Sequence, residues 1–209
     1  MDPLSMTTTT IAAVVLSSSS GLRAYLPLFA MGIGVVSGVV PLEHGYGILT
    51  NPLVLTALGV LSVLEVVADK VPGLDHISDV VHTAVRPIMG AVIFGTTDNL
   101  VSANAGAVGA IAAPIIGAVL AGGVHGVKAL SRPVVTTTTV GIGNPIVSVI
   151  EDIATVALTV LGIIFPIVAL ILLIIVVVLF VLLIRWAYRV LQRRKQRKQA
   201  KAAGTGAGG

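Results

Sequence analysis

The sequence predicts an all-α, polytopic transmembrane bundle of about six spans with a broken or half-helix at the N-terminus, and three observations carry that prediction. Hydrophobic side chains make up 56% of the 209 residues and charged ones 11%, against roughly 45–50% and 25% in a soluble domain. Mean hydropathy is +1.04. Apolar runs of about 20 residues recur, the length that crosses a hydrocarbon core of roughly 30 Å.

Residues 1–20, MDPLSMTTTTIAAVVLSSSS, lack a basic leader region and are expected to be retained as a Ser/Thr-rich segment or half-helix. Residues 17–21 favour helix only weakly, which predicts a break near Gly21 with helix resuming at Leu22. Six spans follow over residues 22–40, 52–68, 77–94, 105–130, 145–165 and 167–188, each bounded by Pro, Gly or charge. The third is the most polar. The fourth is rich in Gly and Ala, which lets helix backbones approach closely. Between Asp152 and Arg185 lie 32 uncharged residues; one helix of that length would measure about 48 Å, too long for a bilayer core even at a tilt of about 40°. Two helices with a tight turn near residues 162–166 fit better than one kinked helix. The resulting organisation is an N-terminal segment over 1–20, a membrane bundle over 21–190, and a basic, then Gly/Ala-rich cytoplasmic tail over 191–209.

Charge is distributed unevenly. Eight of the thirteen basic residues are Arg185, Arg189, Arg193, Arg194, Lys195, Arg197, Lys198 and Lys201, leaving five basic against nine acidic residues elsewhere, a balance of −4. The pI of about 9.8 therefore belongs to a tail beside a span. Such charge marks the cytoplasmic face and meets anionic lipid headgroups. Aromatic residues, at 4%, are too few for a base-stacking platform. The expected partners are the lipid bilayer, anionic headgroups at the tail, and a second copy or another membrane protein; nucleic acid is not expected. With six spans both termini face the cytoplasm from the inner membrane, and Arg23, Lys70, Lys128 and Arg132 fall near cytoplasmic ends.

The absence of Cys leaves chemistry to carboxylates, imidazoles, hydroxyls and backbone. Residues 65–87 hold most of it. Glu65 and Asp69 are four apart and share a helical face, while Asp75, Asp79, His82 and Arg86 form a stripe at i, i+4, i+7 and i+11, with His76 on its border. One reading is a divalent-cation or proton site, with Asp75, Asp79 and His82 as metal ligands. The other is a salt-bridge network, since six acids (the four named, Glu151 and Asp152) nearly balance Arg23, Lys70, Arg86, Lys128 and Arg132.

A second polar segment begins at His125, Lys128 and Arg132, which share a face and from which cations are expected to snorkel to lipid phosphate. It continues through Thr136 and Thr139 to Gly141-Ile-Gly143-Asn144-Pro145. Asn144 is read as an N-cap with proline at the first helical position, and the free amides there as an anion port or a plain loop and cap. Glu151 and Asp152 follow two turns on. There is no GxSxG elbow, HExxH helix or phosphate loop, and the sequence names no cofactor. The leading expectation is a non-enzymatic transporter or channel-like protein for a small solute or ion, its polar site in the cytoplasmic half. A non-transporting scaffold and a membrane-embedded metal-dependent hydrolase are the alternatives.

The runs Gly21-Leu-Arg23-Ala-Tyr25-Leu-Pro27, Glu65 to Asp69-Lys70-Val-Pro72-Gly73-Leu-Asp75-His76 with Asp79, His82 and Arg86-Pro87, His125 to Arg132-Pro133, and Gly143-Asn144-Pro145 with Ser148 and Glu151-Asp152 resemble a bacterial family of small multi-span membrane proteins filed under a domain of unknown function. The likeness covers about residues 15–190. It implies a membrane fold and no established activity.

Overall fold

The computed structural model describes residues 3–40, 46–71, 74–97, 100–139 and 143–205, and among these every regular element is helical. The order is α1 (Pro3–Ser20), α2 (Leu26–Val36), a short 3₁₀ turn (Tyr46–Thr50), α3 (Pro52–Ala68), α4 (Leu74–Thr97), α5 (Leu100–Thr139), α6 (Gly143–Ile164) and α7 (Pro166–Thr205).

Helix α1 is the axis of the bundle, in contact with α4, α5, α6 and α7. Its second half is almost wholly buried, the four serines Ser17–Ser20 included. Small side chains allow that approach, and the hydroxyls find acceptors: Ser17 donates to the Gly90 carbonyl at 3.1 Å, while Ser19 and Ser20 bond back to Leu16 and Ser17. The expected break follows at Gly21. A Cβ there would lie 2.8 Å from Val124 Cβ and closer still to the Ala121 carbonyl oxygen of α5, so only glycine fits.

The expected span over residues 22–40 is corrected. Leu22–Tyr25 is a turn, and α2 has only 11 residues, about 16 Å of helix. The turn exists because Arg23 is drawn inward by carboxylates on two other elements. Helix α2 runs back antiparallel to α1, packing Leu28, Met31 and Val35 with Ala12 and Leu16. Asn51 begins α3 by accepting a bond from the Leu53 amide at 2.9 Å.

Helices α4 and α5 are antiparallel and the closest pair in the molecule. A Cβ on Gly117 would collide with the Gly90 carbonyl and lie 2.5 Å from Phe94 Cβ. Helix α5 bends at Gly106, whose φ of 50° interrupts it, and continues past Pro133 to Thr139. The threonine run is thus helix rather than loop: Thr136, Thr137 and Thr139 each bond to the carbonyl four residues back.

Residues 145–188 form two helices, as expected, separated at Phe165 ahead of Pro166. Helix α7 folds back so that Ala169 and Leu173 share a core with Val15, Leu22 and Leu158, and Phe180 reaches the level of Leu22 and Lys128. Four segments are long and apolar enough to cross a membrane: Val80–Thr97, Gly106–Thr137, Gly143–Ile164 and Pro166–Val190. Helices α2 and α3 are apolar but shorter, so four candidate spans are found among the described residues where about six are expected.

Helix α1 packs along α7. Its beginning, at Thr8 and Thr9, lies beside the α6–α7 turn, whereas α7 ends at the opposite end. The start of α1 and the end of α7 therefore lie at opposite ends of the described bundle. We call the end where α7 leaves the tail end.

Candidate functional site: a buried ionic layer

Five elements meet in the tail half of the bundle: the α1–α2 turn, the end of α3, the first half of α4, the second half of α5 and the start of α6. Each brings charge. Among the described residues the layer holds Arg23, Lys70, Arg86, Lys128 and Arg132 against Glu65, Asp69, Glu151 and Asp152. The side chains of Arg23, Arg86 and Lys128 are at most 1% exposed.

Two carboxylates organise it. Asp69 caps the end of α3 and takes three cations on one oxygen: Arg23 of the turn, and Arg132 and Lys128 of α5 at 2.9 and 3.4 Å. Burial alone would raise its pKa, but Lys128, Arg23 and Arg132 outweigh that and hold the group well below the ordinary carboxylate range. Glu65, one turn earlier on α3, accepts from the Ala24 amide at 3.0 and 2.8 Å through its two oxygens and from the Tyr25 amide at 3.4 Å. It thereby supplies the free amides at the start of α2 with a negative charge, which the helix dipole favours there.

From α4, Arg86 donates to Glu65 at 3.2 Å, and His82 Nε2 lies 3.7 Å from the same oxygen. The Tyr25 ring meets His82 edge-on. Arg86 also reaches His125 Nδ1 at 2.5 Å. Because a guanidinium only donates, Nδ1 is the accepting nitrogen, which leaves Nε2 to donate to the Thr83 hydroxyl at 3.2 Å. On the far side Arg23 Nε donates to Asp152 at 2.6 Å and its NH2 group to Ser148 at 3.0 Å, while Lys70 closes the rim on Asp152 at 2.7 Å.

Lys128 does not snorkel. It turns inward to the Leu22 carbonyl at 3.1 Å and to Glu151 at 2.9 Å, because the α1–α2 turn offers an acceptor that lipid would otherwise supply. Glu151 Oε1 is buried without a partner. Beside it Arg132, Asn144 and Ser148 help line a void of about 10 Å³, about the least that holds a single water. The expected Asn144 cap is not formed: its amide donates to Thr136 at 2.8 Å, its oxygen has no partner, and Gly143 N donates to Thr139 at 3.0 Å. The late threonines take the place of a cap by approaching the helix start from the side.

The structure thus joins Arg23, Glu65, Asp69, His82, Arg86, His125, Lys128, Arg132, Glu151 and Asp152 in one layer, with Gly143 and Asn144 at its edge. Asp75, His76 and Asp79 lie on the first turns of α4, their side chains outside the described residues, as is Gly141; the metal reading of Asp75, Asp79 and His82 falls there. Among the described residues no group of three or more metal-ligating side chains forms. Sequence reasoning missed Ser148, Tyr25 and the amides of Ala24 and Tyr25 as parts of the site. Spacing along one helix does not reveal partners from another, and backbone donors carry no signal beyond the Gly21-to-Pro27 run itself.

No curated protein and no solved structure matches the chain. A family model described as a domain of unknown function, DUF4126, matches residues 10–186, a stretch that contains the whole ionic layer from Arg23 to Asp152, and the chain belongs to that family.

Proposed function

We propose that this membrane protein is a small transporter or channel-like protein and that the ionic layer is its gate, closed at the tail end. One observation supports this reading above the rest: the charges come from five separate elements and surround the turn between α1 and α2, so a shift of that turn would break both Arg23 pairs, the Lys128 bond to the Leu22 carbonyl and the amide bonds to Glu65 together. Buried pairs contribute little net stability compared with apolar packing, and charge within a membrane protein tends to mark a solute or ion path. The exposed Arg185 and Arg189 at the end of the last span and Arg193 beyond it favour a cytoplasmic tail end, with anionic headgroups as their partners. A second reading, a non-transporting scaffold, draws support from the inward pairing of Lys128 with Glu151.

Accessibility separates the two. The chain has no native cysteine, so a single Ser20→Cys, placed on buried α1 just above Arg23, reports on the layer. In proteoliposomes, Asp152→Asn should free Lys70 from its ion pair, remove one of the two carboxylates that hold Arg23, and make Ser20→Cys react with an impermeant maleimide from the tail side. A second cysteine placed after Lys201, in a separate sample, identifies that side. If Asp152→Asn lowers the melting temperature while Ser20→Cys stays inert, the layer is a lock and the gate reading is wrong.

A further inference from the structure

The opposite end of the bundle holds a cavity of about 400 Å³, within the range of small-molecule sites, roughly 300–1,000 Å³. The start of α1, the stretch after α2, the end of α4 and the α6–α7 turn enclose it. Its lining is mixed in character: Thr8, Thr9 and Thr97 supply hydroxyls, and Ala12, Leu16, Met31 and Ile163 supply apolar surface. No Asp, Glu, Lys or Arg lines it among the described residues.

The hydroxyls are not equivalent. Thr8 and Thr9 both donate to the Ser5 carbonyl, at 2.9 and 2.8 Å, which commits their protons and leaves their oxygens as acceptors. Thr97 is only 5% exposed, and its hydroxyl has no partner. Threonine in a helix has two accessible χ1 rotamers, so the unspent donor of Thr97 is available to a molecule in the cavity that this residue lines. An uncharged molecule with both a hydrogen-bond donor and an acceptor on a short apolar frame satisfies this lining. Among the described lining residues an ion would lose its hydration and find no counter-charge.

We infer that this cavity is a binding site for a small uncharged solute of the alcohol or polyol class. The inference rests on the transport reading only for the idea that the solute then crosses; the binding itself stands apart from the gate. It also gives the two ends different tasks, with recognition at one and closure at the other.

The test uses the full chain in nanodiscs with Val39→Cys, an exposed residue on the cavity wall, as the reporter. Its labelling by N-ethylmaleimide is followed with three probes of one chain length at equal concentration: 1,6-hexanediol, adipate and 1,6-diaminohexane. The diol should slow labelling saturably, and the dianion and dication should leave it unchanged. Val60→Cys, on the outer face of α3, should be protected by none of them. Adding Thr97→Val should abolish protection by the diol without unfolding the protein. Equal protection by all three probes, protection by none, or protection that survives Thr97→Val would overturn the assignment. Diol protection combined with an inert Ser20→Cys would keep the binding site and discard the gate; the reverse would discard the site alone.

Discussion

The two halves of this bundle solve the same problem by opposite means. In the tail half, nine charged side chains from five elements pair with one another, six of them buried. In the other half the described lining carries no charge, hydroxyls bond locally within their own helix, and a cavity persists. Polar groups in the first half depend on partners distant in sequence, such as Arg23 with Asp152. Those in the second depend on carbonyls three or four residues away. Damage should therefore spread through the ionic half and stay local in the uncharged one.

The sharpest way to break that contrast is Asp69→Asn. It removes the common acceptor of Arg23, Lys128 and Arg132, and breaking a buried pair costs about 3–5 kcal/mol. A fall of that size in unfolding free energy, measured by denaturant titration in detergent, is expected; a loss below 1 kcal/mol would mean that water or lipid relieves the layer.

Acid should produce a smaller loss through the same carboxylate. Since its folded pKa is depressed, its contribution is complete above the unfolded value of about 3.9 and disappears as pH falls through the folded one. The melting temperature should therefore drop below about pH 4, and more steeply in wild type than in Asp69→Asn. Parallel curves for the two proteins would assign the acid sensitivity to other groups.

The smallest effect is predicted at the uncharged end. Thr97→Val removes a buried hydroxyl that has no partner and keeps the side-chain shape, a change that is nearly neutral or stabilising. Measured by the same titration, it should shift stability by less than about 0.5 kcal/mol. A loss as large as that of Asp69→Asn would erase the distinction between the halves.

Much of the ionic half is legible in the sequence, because charge in an apolar chain is conspicuous and helical spacing groups it by face. The near balance of acids and bases announces pairing, although the pairs themselves join separate elements. The break at Gly21 and the turn before Pro166 are legible for the same local reasons. The role of α1 is not. Hydropathy ranks Ser17–Ser20 as a poor span, yet close packing against Gly90 and the α5 backbone places those serines at the centre. The short α2 is hidden as well, since Leu22–Tyr25 looks apolar apart from one arginine, and it is that arginine which prevents helix. The uncharged cavity leaves no mark in the sequence, being made by the ends of elements that are distant along the chain.

The central position of α1 bears on how the protein is made. Its Ser/Thr content excludes it from the segments apolar enough to cross unaided, and a helix of that kind gains little from lipid alone. Its stability comes from α4, α5, α6 and α7, all synthesised later. A helix made before all of these partners is consequently among the last to become secure in the bilayer. Biogenesis here runs against chain order, and truncations that stop short of α6 should leave α1 exposed to membrane quality-control proteases.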